Sequence, residues 1–153
     1  MLQVVVRLVV AAILGGIIGM ERLLKGKPAG LRTQMLVCMG SAAVLIVARL
    51  DGIPQAELSR VIDGILTGIG FIGGGVILKL TQEREILGVT TAASIWATAA
   101  IGIAVGLGAL WIAIITVLVV WIILFVLGYF ETHVWKLDKS TGDLASNEST
   151  DSE

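Results

Sequence analysis

The sequence predicts an all-α membrane protein, a bundle of five transmembrane helices with the N-terminus outside and the C-terminus cytoplasmic. Three observations predict it. Hydrophobic residues make up 56% of the chain and charged residues only 15%, against about 25% charged in a soluble domain. The mean hydropathy is +0.96, and the 11 basic and 12 acidic side chains sit in short clusters. So little polar material cannot coat so much apolar surface in water. Finally, Ile86 to Phe130 is a run of 45 residues without a charge. At about 1.5 Å per residue this would measure about 67 Å, twice the hydrocarbon thickness of a bilayer.

Each span follows from the positions of the charges. Met1 to Met20 is apolar apart from Gln3 and Arg7, and Arg7 is near enough to the start to reach the interface along its own stem. Leu31 to Leu50 is interrupted only by Arg32 and Arg49 at its ends, and Val61 to Leu78 only by Asp63 near its beginning. The long run must break, and Gly106-Leu107-Gly108 is the breaking point, giving spans from Gly88 to Val105 and from Ala109 to Phe130.

Charge sets the orientation. The loop between the first two spans, the loop between the third and fourth, and the tail hold Arg22, Lys25, Lys27, Arg32, Lys79, Arg84, Lys136 and Lys139. The other side holds Arg7, Arg49 and Arg60. By the positive-inside rule the first set is cytoplasmic. A positive cluster that follows the first apolar run, rather than preceding it, favours a retained helix over a cleaved leader. Trp111 at one end of the fifth span, and Tyr129 with Trp135 at the other, fit aromatic belts. Residues 1–137 thus form the membrane domain. Residues 138–153, with five acids and one lysine for a net charge of −4, read as a disordered acidic cytoplasmic tail.

Glycine spacing predicts how the helices meet. Gly15 and Gly19, Gly64 and Gly68, Gly70 and Gly74, and Gly102 and Gly106 are each four apart. Each pair makes a flat stripe where another backbone approaches closely. The run Gly73-Gly74-Gly75 suits a close-packed continuous helix, or else a local break offering carbonyls to an ion. Gly68-Ile69-Gly70-Phe71-Ile72-Gly73 matches a dinucleotide-binding pattern in letters only, because no strand precedes it and no βαβ unit surrounds it.

Polar residues within the spans supply the candidate functional groups, since charge in hydrocarbon is costly and seldom kept without a use. Glu21 and Arg22 close the first span and Arg32 opens the second, so a Glu21–Arg32 ion pair, or headgroup anchoring of both, is expected at the inner boundary. Arg60 and Asp63 are three apart and close enough to pair on one helix. Gln34, Cys38 and Ser41 on the second helix and Thr90, Ser94 and Thr98 on the fourth form two stripes. Facing each other they make a polar seam; alternatively their hydroxyls bond to their own helices or join neighbours. One cysteine, Cys38, and one histidine, His133, leave no internal disulfide and no zinc set. No nucleophile lies beside a general base and there is no phosphate loop, so neither an enzyme nor a cofactor is expected. The expected partner is the lipid bilayer rather than nucleic acid.

Four segments in order carry a resemblance: Gly19-Met20-Glu21-Arg22; Lys27 to Val37, which includes Thr33 and Gln34; Thr67 to Ile77; and Thr90 to Gly102, which begins Thr90-Thr91. They are similar to the successive signatures of the MgtC/SapB family of small bacterial inner-membrane proteins, over roughly residues 4 to 130. The resemblance implies about five helices with the N-terminus out, and it adds Thr33 and Thr91 to the candidate residues. It implies a link to magnesium homeostasis or growth in low magnesium. It also implies regulation of a membrane partner, the F-type ATP synthase, with a cation transporter or channel component as the alternative. A second copy of the chain is a further expected partner. The sequence differs from the virulence-associated members at Asp63, Gly64, Leu87, Thr90 and Ala97, and carries the acidic tail where those members have a cytoplasmic domain.

Overall fold

The computed structural model describes residues 1–80 and 88–128, and every regular element among them is helical. The helices are α1 (Leu2–Leu24), α2 (Leu31–Leu50), α3 (Leu58–Leu80), α4 (Val89–Leu107) and α5 (Leu110–Ile122). The first four are long and apolar enough to cross a membrane, and Leu110–Val126 is a shorter apolar helical stretch. The chain divides into two compact units at Trp121. The described part of the second contains a π-helical turn, Ile123–Leu127. Arg84, Tyr129, His133, Trp135 and the tail 138–153 lie outside the described residues.

α2 coincides with its expected span, α1 and α3 extend theirs, and α5 ends at Ile122, short of the expected Phe130. α1 continues four residues past Met20, which gives about 34 Å at 1.5 Å per residue. α3 begins three residues before Val61. The break in the charge-free run falls at Gly108, at the end of the expected Gly106–Gly108 turn.

Three helices end in the same way. Gly26, Gly52 and Gly108 adopt φ of 60°, 73° and 82°, the left-handed region that only glycine enters without a steric cost. After α1, the Gly26 N–H donates to Leu23 O and the Lys27 N–H to Arg22 O. The pairs Gly52–Arg49 and Ile53–Ala48 close α2, and Gly108–Val105 and Ala109–Ala104 close α4. This double-bond cap satisfies carbonyls that a helix end leaves open.

In the first unit α2 and α4 are central: α1 packs on both, and α3 packs on α4 and α2. The side chains of Ile18, Leu45, Ile95, Ile101 and Val105 are fully buried. With lipid as solvent such packing is driven by van der Waals fit more than by escape from water. Glycine permits the fit. A Cβ on Gly15 would lie 2.6 Å from Gln34 O, and one on Gly19 2.6 Å from Leu31 Cα. One on Gly102 would collide with Cys38 O, and one on Gly106 would lie 2.7 Å from Leu45 Cβ. α2 therefore sits between two glycine stripes, one on α1 and one on α4.

α3 is built differently. Its inward stripe is aliphatic: Leu58 and Ile69 are buried, and Val61, Ile62, Ile65, Leu66 and Val76 pack with residues of α2 and α4. Gly73 faces Ala92, with room for a Cβ at 3.5 Å. Among the described residues, most glycines of α3 face no neighbouring helix. A Cβ at Gly64, Gly68, Gly70, Gly74 or Gly75 would meet nothing within 4 Å, because the bulky aliphatic residues occupy the inward positions and turn the glycines outward.

Candidate functional site: a buried polar cluster among three helices

Glu21 and Arg22 come from the last turns of α1, Gln34 from the first turn of α2, and Thr91, Ser94 and Thr98 from the first half of α4. All six are at most 5% exposed. They gather at the bundle end that carries the loop Lys25 to Gly30, held by the tight contact of Gly19 with Leu31.

Hydrogen bonds tie the three helices together. Arg22 Nη2 donates to Thr91 Oγ1 at 2.6 Å. Gln34 Nε2 donates to Ser94 Oγ at 3.0 Å and to Ala29 O at 3.3 Å. Ser94 Oγ in turn donates to Thr91 O at 2.8 Å, back along its own helix. Ala29, at φ 55°, is in a region that non-glycine residues rarely enter, and this places its carbonyl within reach of Gln34.

Glu21 pairs with Lys25, one turn along α1, at 2.7 Å, and not with Arg32. The spacing of four on one helix holds the two side chains together without a loop, whereas Arg32 is exposed on α2. The approach of Lys25 Nζ balances the charge but lacks hydrogen-bond alignment. Among the described residues, both Glu21 carboxylate oxygens, Arg22 Nε, Gln34 Oε1 and Thr98 Oγ1 are buried without a hydrogen-bond partner. Every such orphan among them belongs to this cluster.

The polar seam therefore exists in a modified form. Gln34, Cys38 and Ser41 are buried on α2 as expected, but on α4 the inward set is Thr91, Ser94 and Thr98, and Thr90 is exposed. Thr33 is exposed as well. Arg60 and Asp63 are exposed on α3, outside the cluster, and no ion pair within 4.0 Å joins them among the described residues. Among those residues no three Asp, Glu, His or Cys side chains gather to hold a metal ion. Sequence reasoning missed Lys25 as the partner of Glu21; the i, i+4 spacing was the available signal.

The profile of the MgtC family matches residues 8–133, a stretch that contains all six cluster residues. The chain belongs to the MgtC family. YhiD of Escherichia coli (strain K12) is 46% identical over 113 residues, covering 69% of this chain and 52% of YhiD. SrpB of Synechococcus elongatus is 41% identical over 116 residues, covering 69% of this chain and 63% of SrpB. MgtC of Salmonella typhimurium (strain LT2) is 40% identical over 108 residues, covering 71% of this chain and 45% of MgtC. The chain thus spans about half the length of most of these relatives. No solved structure matches it. MgtC-family membership and the four long apolar helices make this a multi-pass membrane protein.

Proposed function

We propose that this protein is a non-enzymatic regulator in the bacterial inner membrane, linked to magnesium homeostasis or low-magnesium adaptation. In this reading it acts through contact with another membrane protein such as the F-type ATP synthase, and its Lys25 end faces the cytoplasm. The supporting observation is the outward face of α3. Among the described residues, a Cβ at Gly64, Gly68, Gly70 or Gly75 would meet nothing within 4 Å, and Phe71 beside them is 85% exposed. A glycine face of this kind lets a neighbouring backbone approach closely, which is the main source of helix association in lipid. Arg60 and Asp63 lie at the start of the same helix with charges left to pair across such a contact. A second copy of this chain would use the same surface.

Magnesium enters through the relatives: the name of YhiD points to magnesium transport. One observation favours a cation path as the second reading, namely the orphaned acceptors Glu21 Oε2, Gln34 Oε1 and Thr98 Oγ1. Against it, magnesium favours carboxylate oxygens and retained waters. Here the one buried carboxylate among the described residues already faces Lys25, and Asp63 is on another helix.

Two measurements decide between the readings. A photo-crosslinking residue at position 71 in native membranes is expected to capture an integral membrane protein, while one at Val9 on α1 is not. Purified protein in liposomes is expected to carry magnesium no faster than empty vesicles. Flux that disappears with Glu21→Gln would replace the regulator with the cation path.

A further inference from the structure

At the bundle end opposite the polar cluster, Arg7 of α1 and Arg49 of α2 converge on the last turn of α4. The four terminal carbonyls of α4 are fully accounted for. Those of Ala104 and Val105 accept the Ala109 and Gly108 N–H groups. Gly106 O accepts from Arg7 Nη1 at 3.3 Å, and Leu107 O from Arg49 Nη1 at 2.7 Å. The Arg7 guanidinium also lies over Gly108, where a Cβ would come 3.1 Å from Nη2.

One bond each leaves most of the two guanidiniums unused, since each carries five N–H donors in a planar fork. Neither makes an ion pair within 4.0 Å among the described residues. The acids of the neighbouring turn, Asp51 and Glu57, are exposed and do not reach them. Both arginines instead wall a cavity of about 340 Å³ whose other lining residues are Gln3, Val4, Ile46 and Leu50. This cleft is open on one side, so it suits a headgroup at the surface rather than an enclosed ligand.

The geometry points to a binding site for a phosphate oxyanion. We infer that Arg7 and Arg49, with the Gln3 amide beside them, clasp a phosphate group, either the headgroup of an anionic phospholipid or a free phosphate. Planar guanidinium forks match phosphate oxygens in pairs. Two uncompensated cations at one end of a membrane bundle also lie where lipid phosphates are found, and the walls of Val4, Ile46 and Leu50 suit the first carbons of an acyl chain. The site is independent of the regulator reading and of the α3 face.

The test uses the full chain in a neutral detergent, with bound lipid read by native mass spectrometry. The offered lipids are phosphatidylglycerol and diacylglycerol of matched chains. Wild-type protein is expected to retain phosphatidylglycerol about tenfold over diacylglycerol, with the preference lost in the Arg7→Gln, Arg49→Gln double variant. Inorganic phosphate serves as the second probe. Displacement of the lipid by phosphate, or phosphate binding without lipid binding, assigns the site to the free ion; retention against it assigns the site to the headgroup. Equal retention of both lipids by wild-type protein, with no phosphate binding, overturns the proposal even if the double variant does not fold.

Discussion

Arg22 of α1 donates a 2.6 Å hydrogen bond to Thr91 of α4, and this bond lies inside the bundle with both residues at most 3% exposed. Losing the acceptor leaves part of a buried guanidinium unpaired. Thr91→Val is expected to destabilise the bundle by about 1.5–3 kcal/mol. Thr90→Val, one residue away and exposed, should stay within about 0.5 kcal/mol of wild type. Reversible unfolding in mixed detergent micelles measures both, and equal effects would contradict the observed rotation of α4.

The two classes of glycine should respond in opposite ways to the same change. Gly15→Ala and Gly102→Ala place a methyl group against the α2 backbone and are expected to cost about 1–3 kcal/mol. Gly64→Ala and Gly68→Ala enter space that no described residue occupies. They should leave it unchanged or stabilise it by about 0.5–1 kcal/mol through reduced backbone freedom. Those α3 variants would still weaken capture of a partner at position 71, which separates folding from contact.

Lys25→Gln removes the cation nearest a buried carboxylate. The Lys25 side chain is 33% exposed, so solvent softens the loss, and a cost of about 1–2 kcal/mol is expected. Arg32→Gln should change stability by less than about 0.5 kcal/mol. In the Glu21→Gln background the Lys25 effect should shrink, and a double-mutant cycle measures that coupling.

Gly108→Ala forces a side chain into φ 82° and towards the Arg7 guanidinium. The expected loss is about 1–2 kcal/mol from the backbone conformation. Arg7→Ala in the same protein should recover part of it by clearing the space, as thermal unfolding followed by circular dichroism would show.

Much of this architecture was legible in the residues. Charge-free stretches located the helices because the bilayer admits so few alternatives to a continuous helix, and Gly108 ended α4 because its φ suits little else. The face of α4 was harder to read. Positions 90, 94 and 98 advance about 40° at each step around a helix of 3.6 residues per turn, whereas 91, 94 and 98 keep nearer one line. With hydroxyls at both 90 and 91, only the packing of Ala99 and Ile95 into the core decides which faces in. The glycines of α3 were ambiguous for a related reason: spacing reports a flat stripe but not which neighbour it faces. Charge counting placed Arg7 and Arg49 on one side of the membrane, yet their convergence depends on where α4 ends.

The position of α2 between two glycine stripes also bears on how the protein is made. Chains enter the membrane from the N-terminus, so α1 and α2 meet as a hairpin through Gly15 and Gly19 before α4 is synthesised. The second groove of α2, along Cys38, Ala42 and Leu45, stays open until Gly102 and Gly106 arrive to close it. Damage at Gly15 would therefore act at the hairpin stage of biogenesis, whereas damage at Gly102 would leave an inserted hairpin unable to seat α4.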